Sequence, residues 1–462
     1  MKLNRQQKNA FFLHWIQLRE ELPEKLIQQF NTINFPSLTK LELDEIIEKI
    51  PENNGFTDKI VIEGIKYIHS NWVFTEKPII SPQCFTIRDI SNAIKSISKG
   101  KEDAYDSLMC SYGMRYPKKE RKILQNLIEE KFKEKKEKEC SKDLFKNCYL
   151  STSLKEAYKY SEIAIKNGRH ILFTGKEGVG ITSIAKWIAG KHSNNQEKDF
   201  TFVFTEETTI GDLIGRFIPT SSKKYNENLI EWKNGPLTDA IQFGYSGLFL
   251  NIDSTDNKIL ERINCLLDQK ETEKDNIFKI PENPNLESVK IDPNYRFYCT
   301  CSYDKLDSLS DAFLNRLTVI NIDDQLEGMN EKHYSELIEI ILKQENIEFD
   351  EDLIQYLVDE QIKNNFSMSE LAKLSKCCLY LSKNFKDLDK VTNINYVKEL
   401  FIKNHNIDIP LIILNMVEGK LKMYETKRIK GKEDFYFNSP KLKELLAKMY
   451  TCMICNINCC LG

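Results

Sequence analysis

Residues 171–187 read Ile171-Leu-Phe-Thr-Gly-Lys-Glu-Gly-Val-Gly-Ile-Thr-Ser-Ile-Ala-Lys-Trp187. The apolar run at 171–174 predicts a short buried strand, the glycines that follow predict a tight turn, and residues 182–190 predict a helix. In a phosphate-binding loop with this order, backbone N–H groups point inward at phosphate oxygens, and the helix N-terminus adds positive potential. The stretch therefore predicts a strand–loop–helix unit of the phosphate-loop type.

The loop departs from the usual pattern, G-x-x-x-x-G-K-[ST], at its lysine. Thr182 occupies the magnesium-ligand position, but Ile181 stands where the lysine should be and offers neither a charge nor a donor. Lys176, inside the loop, could reach a phosphate from the other side. We expect weak or no nucleotide binding here, the alternative being a unit that kept its shape and lost its ligand. The candidate nucleotide-binding residues are Gly175, Lys176, Gly178, Gly180, Ile181, Thr182 and Ser183.

The surrounding sequence alternates between strand and helix patterns, which favours a parallel sheet with helices on both faces. After residue 327 the pattern is helical to about residue 450, and apolar residues also recur at helical spacing at 41–50, 60–68, 87–97 and 123–132. The further predicted strands are 200–204, 248–252, 296–300 and 317–322.

Composition narrows the classes of protein. The 462 residues are 41% hydrophobic and 29% charged, which predicts a globular chain of several domains. The formal charge of −3 disfavours a basic DNA-binding protein. We find no signal peptide and no apolar run of ~18–20 residues that could span a membrane. The 13 cysteines then suggest reduced thiols inside the cell.

Two pairs of segments suggest a tandem repeat. Residues 24–35 match 311–322, and residues 85–90 match 366–371, at offsets of 287 and 281 residues. The similar offsets indicate two copies of one module, of which the first is truncated. Cys452, Cys455, Cys459 and Cys460 form a cysteine-rich tail, which could hold a metal or be an irregular terminus.

Six segments of 170–323, in order, resemble those of the dynein-related AAA+ ATPases, and most closely the tandem modules of the midasin family. The segments after the loop include a threonine element at 208–215, a Gly-Pro-Leu helix start at 235–241 and an acidic-motif strand at 248–253. A sensor strand at 293–300 and an arginine-finger segment at 309–316 complete the series.

The resemblance implies an α/β AAA+ module, of the P-loop NTPase type, flanked by two helical lids. The implied divisions are the tail of a truncated module (1–35), a first lid (36–145), the large domain (151–327), a second lid (328–450) and the cysteine-rich tail (451–462). Arg88 would be the second sensor of the first lid, and Ser369 stands where the second lid would carry that arginine.

The resemblance also assigns catalytic positions. Asn251 stands where the family has its catalytic glutamate, and Ser302 stands at the first sensor. Asp253 lies two residues further along the predicted strand and, with Thr182, would hold Mg²⁺ only after a shift of register. Arg316 would act as an arginine finger on the nucleotide of a neighbouring module.

These substitutions predict a degenerate AAA+ protein with weak or no ATP hydrolysis, because catalytic groups that act as a unit fail together. It would be a structural or nucleotide-sensing element of a ring, with ATP and Mg²⁺ weakly bound or lost. By resemblance the ring would act on precursors of the large ribosomal subunit, in the nucleus or nucleolus, with the cytoplasm as the alternative. Three rival functions remain: an active ATPase using Lys176 and Asp253, a nucleotide-free interaction scaffold, and a ring ATPase of another kind.

Overall fold

The computed structural model describes residues 39–53, 56, 58–72, 86–98, 103–132, 151–192, 200–219, 230–268, 276–283, 288–403, 409–425 and 440–456. The predictions for residues 1–35 and for Cys459 and Cys460 fall outside this part of the chain. The chain divides into two compact units, Met1–Ile46 and Ile47–Gly462. In the first unit, the described residues begin helix α1, and the Thr39 hydroxyl and amide both donate to the Glu42 carboxylate, which caps this helix start.

The second unit contains a five-stranded, wholly parallel sheet. Its strands run in the order β2-β5-β8-β1-β9, which confirms the predicted α/β fold. The strands of the chain are β1 (His170–Gly175), β2 (Phe200–Val203), β3 (Gly215–Pro219), β4 (Ile230–Asn234), β5 (Ser246–Leu250), β6 (Ile277–Lys279), β7 (Ser288–Lys290), β8 (Arg296–Ser302) and β9 (Leu317–Ile322).

The sheet forms because its inner strands are nearly continuous apolar runs, as buried parallel strands require. Every residue of β1, β5 and β9 is buried. Phe249 of β5 stacks on Phe297 of β8 with ring centroids 4.3 Å apart, at the centre of the core. Helices flank the sheet as predicted, with α7 against β1, β5 and β8, and α6 against β1 and β9.

The sequence did not predict two antiparallel hairpins. One pairs β3 with β4, and the other pairs β6 with β7, whose strands have only three residues each. Strands this short carry too little periodicity to be recognised from sequence.

The helices fall on both sides of the α/β region in sequence. The expected helices at 41–50, 60–68 and 87–97 are present, and the fourth begins earlier than predicted, at Lys118. The helices are α1 (Lys40–Asn53), α2 (Lys59–Trp72), α3 (Ile87–Ser98), α4 (Ala104–Ser111), α5 (Lys118–Glu129), α6 (Thr152–Lys166), α7 (Ile181–His192), α8 (Ile210–Ile214), α9 (Pro236–Phe243), α10 (Asn257–Leu267), α11 (Asp311–Leu314), α12 (Glu331–Lys343), α13 (Glu351–Asn364), α14 (Met368–Asn384), α15 (Lys390–Lys398), α16 (Leu411–Glu425) and α17 (Pro440–Ile454).

Helices α3 and α14, at the starts of the two segments matched at 85–90 and 366–371, begin in the same way. Thr86 donates to the carboxylate of Asp89, and Ser367 donates to the carboxylate of Glu370. In each helix the acid lies three residues after the cap, as in a capping box. The two segments therefore share a local structure as well as a sequence pattern.

Buried polar contacts join the first helical region to the α/β region. Arg121 of α5 is buried and donates to Asp323 at 2.6 Å and to Glu156 at 2.7 Å. Arg169, just before β1, donates to Ser111 Oγ at 3.1 Å and to the Asn92 carbonyl. Because these guanidiniums are desolvated, losing either partner would leave a buried group without compensation.

Two classes of feature are absent from the part of the chain described above. No helix there combines the length and apolar character needed to cross a membrane. Nor do those residues contain a group of three or more His, Cys, Asp or Glu side chains arranged to hold a metal ion.

Candidate functional site

The candidate loop lies at the carboxyl edge of the sheet, between β1 and α7. Its first residue, Gly175, pairs in register with Ser302 at the end of β8. Gly178 and Gly180 have φ of 85° and 90°, a backbone region that side chains with a Cβ rarely occupy. The loop therefore has the predicted shape, and the predicted first-sensor residue lies beside it.

Ile181 makes the start of helix α7 apolar. A Cβ atom built on Gly175 would lie 3.3 Å from Ile181 Cγ1 and 3.1 Å from Val179 Cγ2, so both side chains pack against this end of the strand. Thr182 and Ser183, in the first helical turn, are exposed. Lys176 is also exposed.

The second helical region contacts the loop directly. The Gly178 carbonyl accepts a hydrogen bond from the Ser369 amide at 2.9 Å. The Val179 carbonyl accepts one from Gln325 Nε2 at 2.8 Å, in the segment that leads into this region. A Cβ atom on Gly178 would come within 2.8 Å of Ser367 Oγ. The start of α14 is thus fixed on the loop backbone, at the position where the resemblance expected a sensor arginine.

Strand β5 ends earlier than predicted, and this corrects the expected position of Asp253. Strand pairing stops at Leu250, Asn251 takes a left-handed φ of 56°, and Ile252–Ser254 form a 3₁₀ turn. The Asn251 amide donates to Thr300 Oγ1 at 3.1 Å, which fixes the turn. Asp253 is therefore not two residues further along the strand, and a shift of register could not bring it into line.

The surroundings of Asp253 do not fit a magnesium site. Only 6% of its side chain is exposed, and its carboxylate lies 3.2 Å from Lys305 Nζ. Burial, and then the Asp253 charge, raise the pKa of the Cys301 thiol, so that group stays protonated beside the carboxylate. The one acid predicted to hold the metal is already paired with an ammonium, which disfavours Mg²⁺ at this carboxylate.

The two predicted arginines lie at the other end of the parallel strands, near their amino termini. Arg88 of α3 and Arg316, just after α11, both line a cleft of about 580 Å³. Both donate to the same oxygen, Oδ1 of Asp268, at 3.0 Å and 2.9 Å respectively. Arg169 and Thr318, near the amino ends of β1 and β9, also line this cleft. Because all the strands are parallel, the cleft is remote from the carboxyl edge that carries the loop.

The cleft is rich in positive charge. Lys95 and Arg169 join the two arginines on its wall, and among the described residues Asp268 is the one acid that lines it. Burial lowers the pKa of Arg169, because desolvation disfavours its charged form. The remaining polar lining residues are Thr86, Ser91, Asn92, Asn315 and Thr318.

The structure thus divides the predicted site residues into two groups. Asn251, Asp253, Ser302 and the loop gather at the carboxyl edge, while Arg88 and Arg316 meet at the other edge. The sequence did not predict the four residues that contact the loop, Asp253 or the two arginines. They are Lys305, Gln325, Ser367 and Asp268. Each acts through a contact distant in sequence, for which a single chain carries no local signal.

Comparison with known proteins agrees with this geometry. The family described as "AAA domain (dynein-related subfamily)" matches residues 170–317. Midasin of Dictyostelium discoideum is 29% identical over 159 residues, which are 34% of this chain and 2% of the midasin. The chain therefore matches only a small part of the length of that relative. Residues 170–317 therefore match an AAA domain of the dynein-related subfamily, in a chain that is similar to midasin over about a third of its length.

Proposed function

We propose that this chain is a non-hydrolysing element of an AAA+ ring, which supplies Arg88 and Arg316 to a nucleotide held by a neighbouring module. The observation that carries the proposal is the division of the site. The two arginines share one cleft, whereas the chain's own loop lies at the opposite edge and has an isoleucine for its lysine.

Three features support the loss of hydrolysis at the chain's own loop. Ile181 provides no charge for the β- and γ-phosphates, and Asn251 cannot act as the base that a glutamate would provide. The Asp253 carboxylate forms an ion pair with Lys305. Since catalytic groups fail as a unit, we expect no turnover beyond background.

The contacts between the loop and α14 support a structural role for the loop. In this arrangement the Gly178 carbonyl holds the second helical region on the loop by accepting from the Ser369 amide. The loop would then act as a fixed joint between the α/β region and the helices that follow.

The arginine cleft supports a role toward a neighbour. Guanidinium groups stabilise charge that develops on a transferring phosphoryl group, and an arginine finger supplied in trans does so from a neighbouring module. AAA+ proteins generally assemble as rings, which would bring such a neighbour to the cleft. By resemblance to midasin, we propose that the ring remodels precursors of the large ribosomal subunit in the nucleus, a chaperone-like role.

Phosphate release by the purified chain tests the loss of hydrolysis. We expect release from ATP with Mg²⁺ at background, unchanged by Asp253→Ala or Thr182→Ala. Turnover well above background that Asp253→Ala abolishes would overturn the proposal and favour an active, remodelled site. Co-purification with large-subunit precursors tests the ribosomal role, and its absence from a tagged chain at native level would refute that part alone.

A further inference from the structure

We propose that Asp268 is an internal competitor in the arginine cleft, which holds Arg88 and Arg316 until a phosphate chain displaces it. The choice of phosphate rests on the proposed function. The role of Asp268 rests on the geometry of three side chains, Arg88, Asp268 and Arg316.

Asp268 bridges Arg88 and Arg316, and another anion can replace it in this bridge. One carboxylate oxygen accepts from Arg88 Nη1 at 3.0 Å and from Arg316 Nε at 2.9 Å. The side chains of Arg88, Asp268 and Arg316 are 43%, 36% and 21% exposed. Ion pairs this exposed contribute little to stability, so an anion with more charge than one carboxylate can replace Asp268 at small cost.

The arginines keep donors for such an anion. Among the described residues, Nη2 of Arg316 and both Nε and Nη2 of Arg88 make no hydrogen bond. Arg316 Nη1 donates to the Ala312 carbonyl of its own helical turn. This bond keeps the Arg316 guanidinium oriented when Asp268 leaves, so the site does not have to be rebuilt.

The back of the cleft adds potential but few free donors. Arg169 is buried and already donates to Ser111 Oγ and to the Asn92 carbonyl. Its charge remains, and the first turn of α3, at Thr86 and Ile87, adds the positive end of a helix dipole.

A phosphate chain fits these features better than a single carboxylate. Guanidiniums pair with phosphate oxygens through two parallel bonds, and the described lining of the cleft has four basic residues against one acid. Its volume of about 580 Å³ is in the range of small-ligand sites. An acidic peptide segment is the competing ligand.

The test is calorimetric titration of the full chain, at low ionic strength, with sodium tripolyphosphate, ATP, adenosine and an aspartate-rich peptide. The variants are Asp268→Asn, which removes the competing charge, and Arg316→Gln, which removes a receiving group. Glu261→Gln is the matched control, because Glu261 is an exposed acid on the same helix as the bridge and does not line the cleft.

We expect Asp268→Asn to tighten tripolyphosphate and ATP binding about tenfold, or about 1.4 kcal/mol, and Arg316→Gln to abolish it. Glu261→Gln and the wild type should agree, and adenosine should not bind. Equal affinities in Asp268→Asn, Glu261→Gln and the wild type would refute competition by Asp268. Binding of the peptide alone would refute the phosphate assignment. Both failures differ from failure of the proposed function, which the phosphate-release assay detects separately.

Discussion

Replacing Gly178 by alanine tests whether the loop acts as a joint between the α/β region and helix α14. Gly178 has a φ of 85°, and a Cβ atom there would lie 2.8 Å from Ser367 Oγ and 2.9 Å from Ser367 Cβ. The added methyl group therefore has two effects. It strains the backbone, and it pushes against the residue that caps α14.

The magnitude follows from these two effects. A residue with a Cβ in the left-handed region costs about 1–2 kcal/mol. Displacing Ser367 also breaks its capping box with Glu370, which costs about 0.5–2 kcal/mol. We expect Gly178→Ala to lower the free energy of unfolding by roughly 1.5–4 kcal/mol in total.

Gly180→Ala is the matched control. Gly180 has a similar φ of 90°, but its Cβ would meet only the flexible end of Gln325, at 3.3 Å. This variant should show the backbone strain alone, about 1–2 kcal/mol. The difference between the variants isolates the contact with α14.

Urea unfolding gives the energies, and amide hydrogen exchange gives the location. Gly178→Ala should accelerate exchange in residues 368–384, whereas Gly180→Ala should leave those amides protected. Equal exchange and equal destabilisation in the two variants would refute the idea that the loop holds α14 in place.

Three further changes probe other parts of the chain. Arg121→Met should lower the free energy of unfolding by about 3–5 kcal/mol, because buried Asp323 loses its charged partner. Urea unfolding measures this change. A loss below about 1 kcal/mol, typical of an exposed pair, would show that the ion pair does not stabilise the fold. Burial lowers the pKa of His170 to about 3 in the folded chain, so between pH 6.5 and 3 the unfolded chain binds the extra proton and stability falls as the pH falls. We expect a loss of about 2 kcal/mol between pH 7 and 5 that His170→Gln removes and that the control His333→Gln, at a half-buried histidine, retains. Lys305→Ala removes the ammonium beside the Asp253 carboxylate and should allow Mn²⁺ to bind there. Electron paramagnetic resonance detects the bound Mn²⁺. Spectra identical to those of the wild type would show that Lys305 does not exclude the metal.

The sheet was predictable because its information is local. The buried runs at 171–174 and 317–322 are mostly apolar, and β9 begins and ends where the sequence predicted. The glycines of the loop likewise predicted a tight turn, and Gly178 and Gly180 have positive φ.

The site was only partly predictable because its decisive contacts are not local. Arg88 and Asp268 are 180 positions apart in the chain, and no spacing rule joins them. Asn251 left the strand through a left-handed conformation, which asparagine tolerates but does not require. This single dihedral moved Asp253 away from the position that an extended strand would have given it.

The most direct measurement compares ATP binding in two variants of the full chain by calorimetry. The Arg88→Gln/Arg316→Gln variant lacks the receiving groups of the cleft, and the Lys176→Ala/Thr182→Ala variant lacks the polar groups of the loop. If the phosphate chain binds at the arginines, ATP binding disappears only in the first variant. Binding that survives in the first and disappears in the second would place ATP on the loop and contradict the assignment.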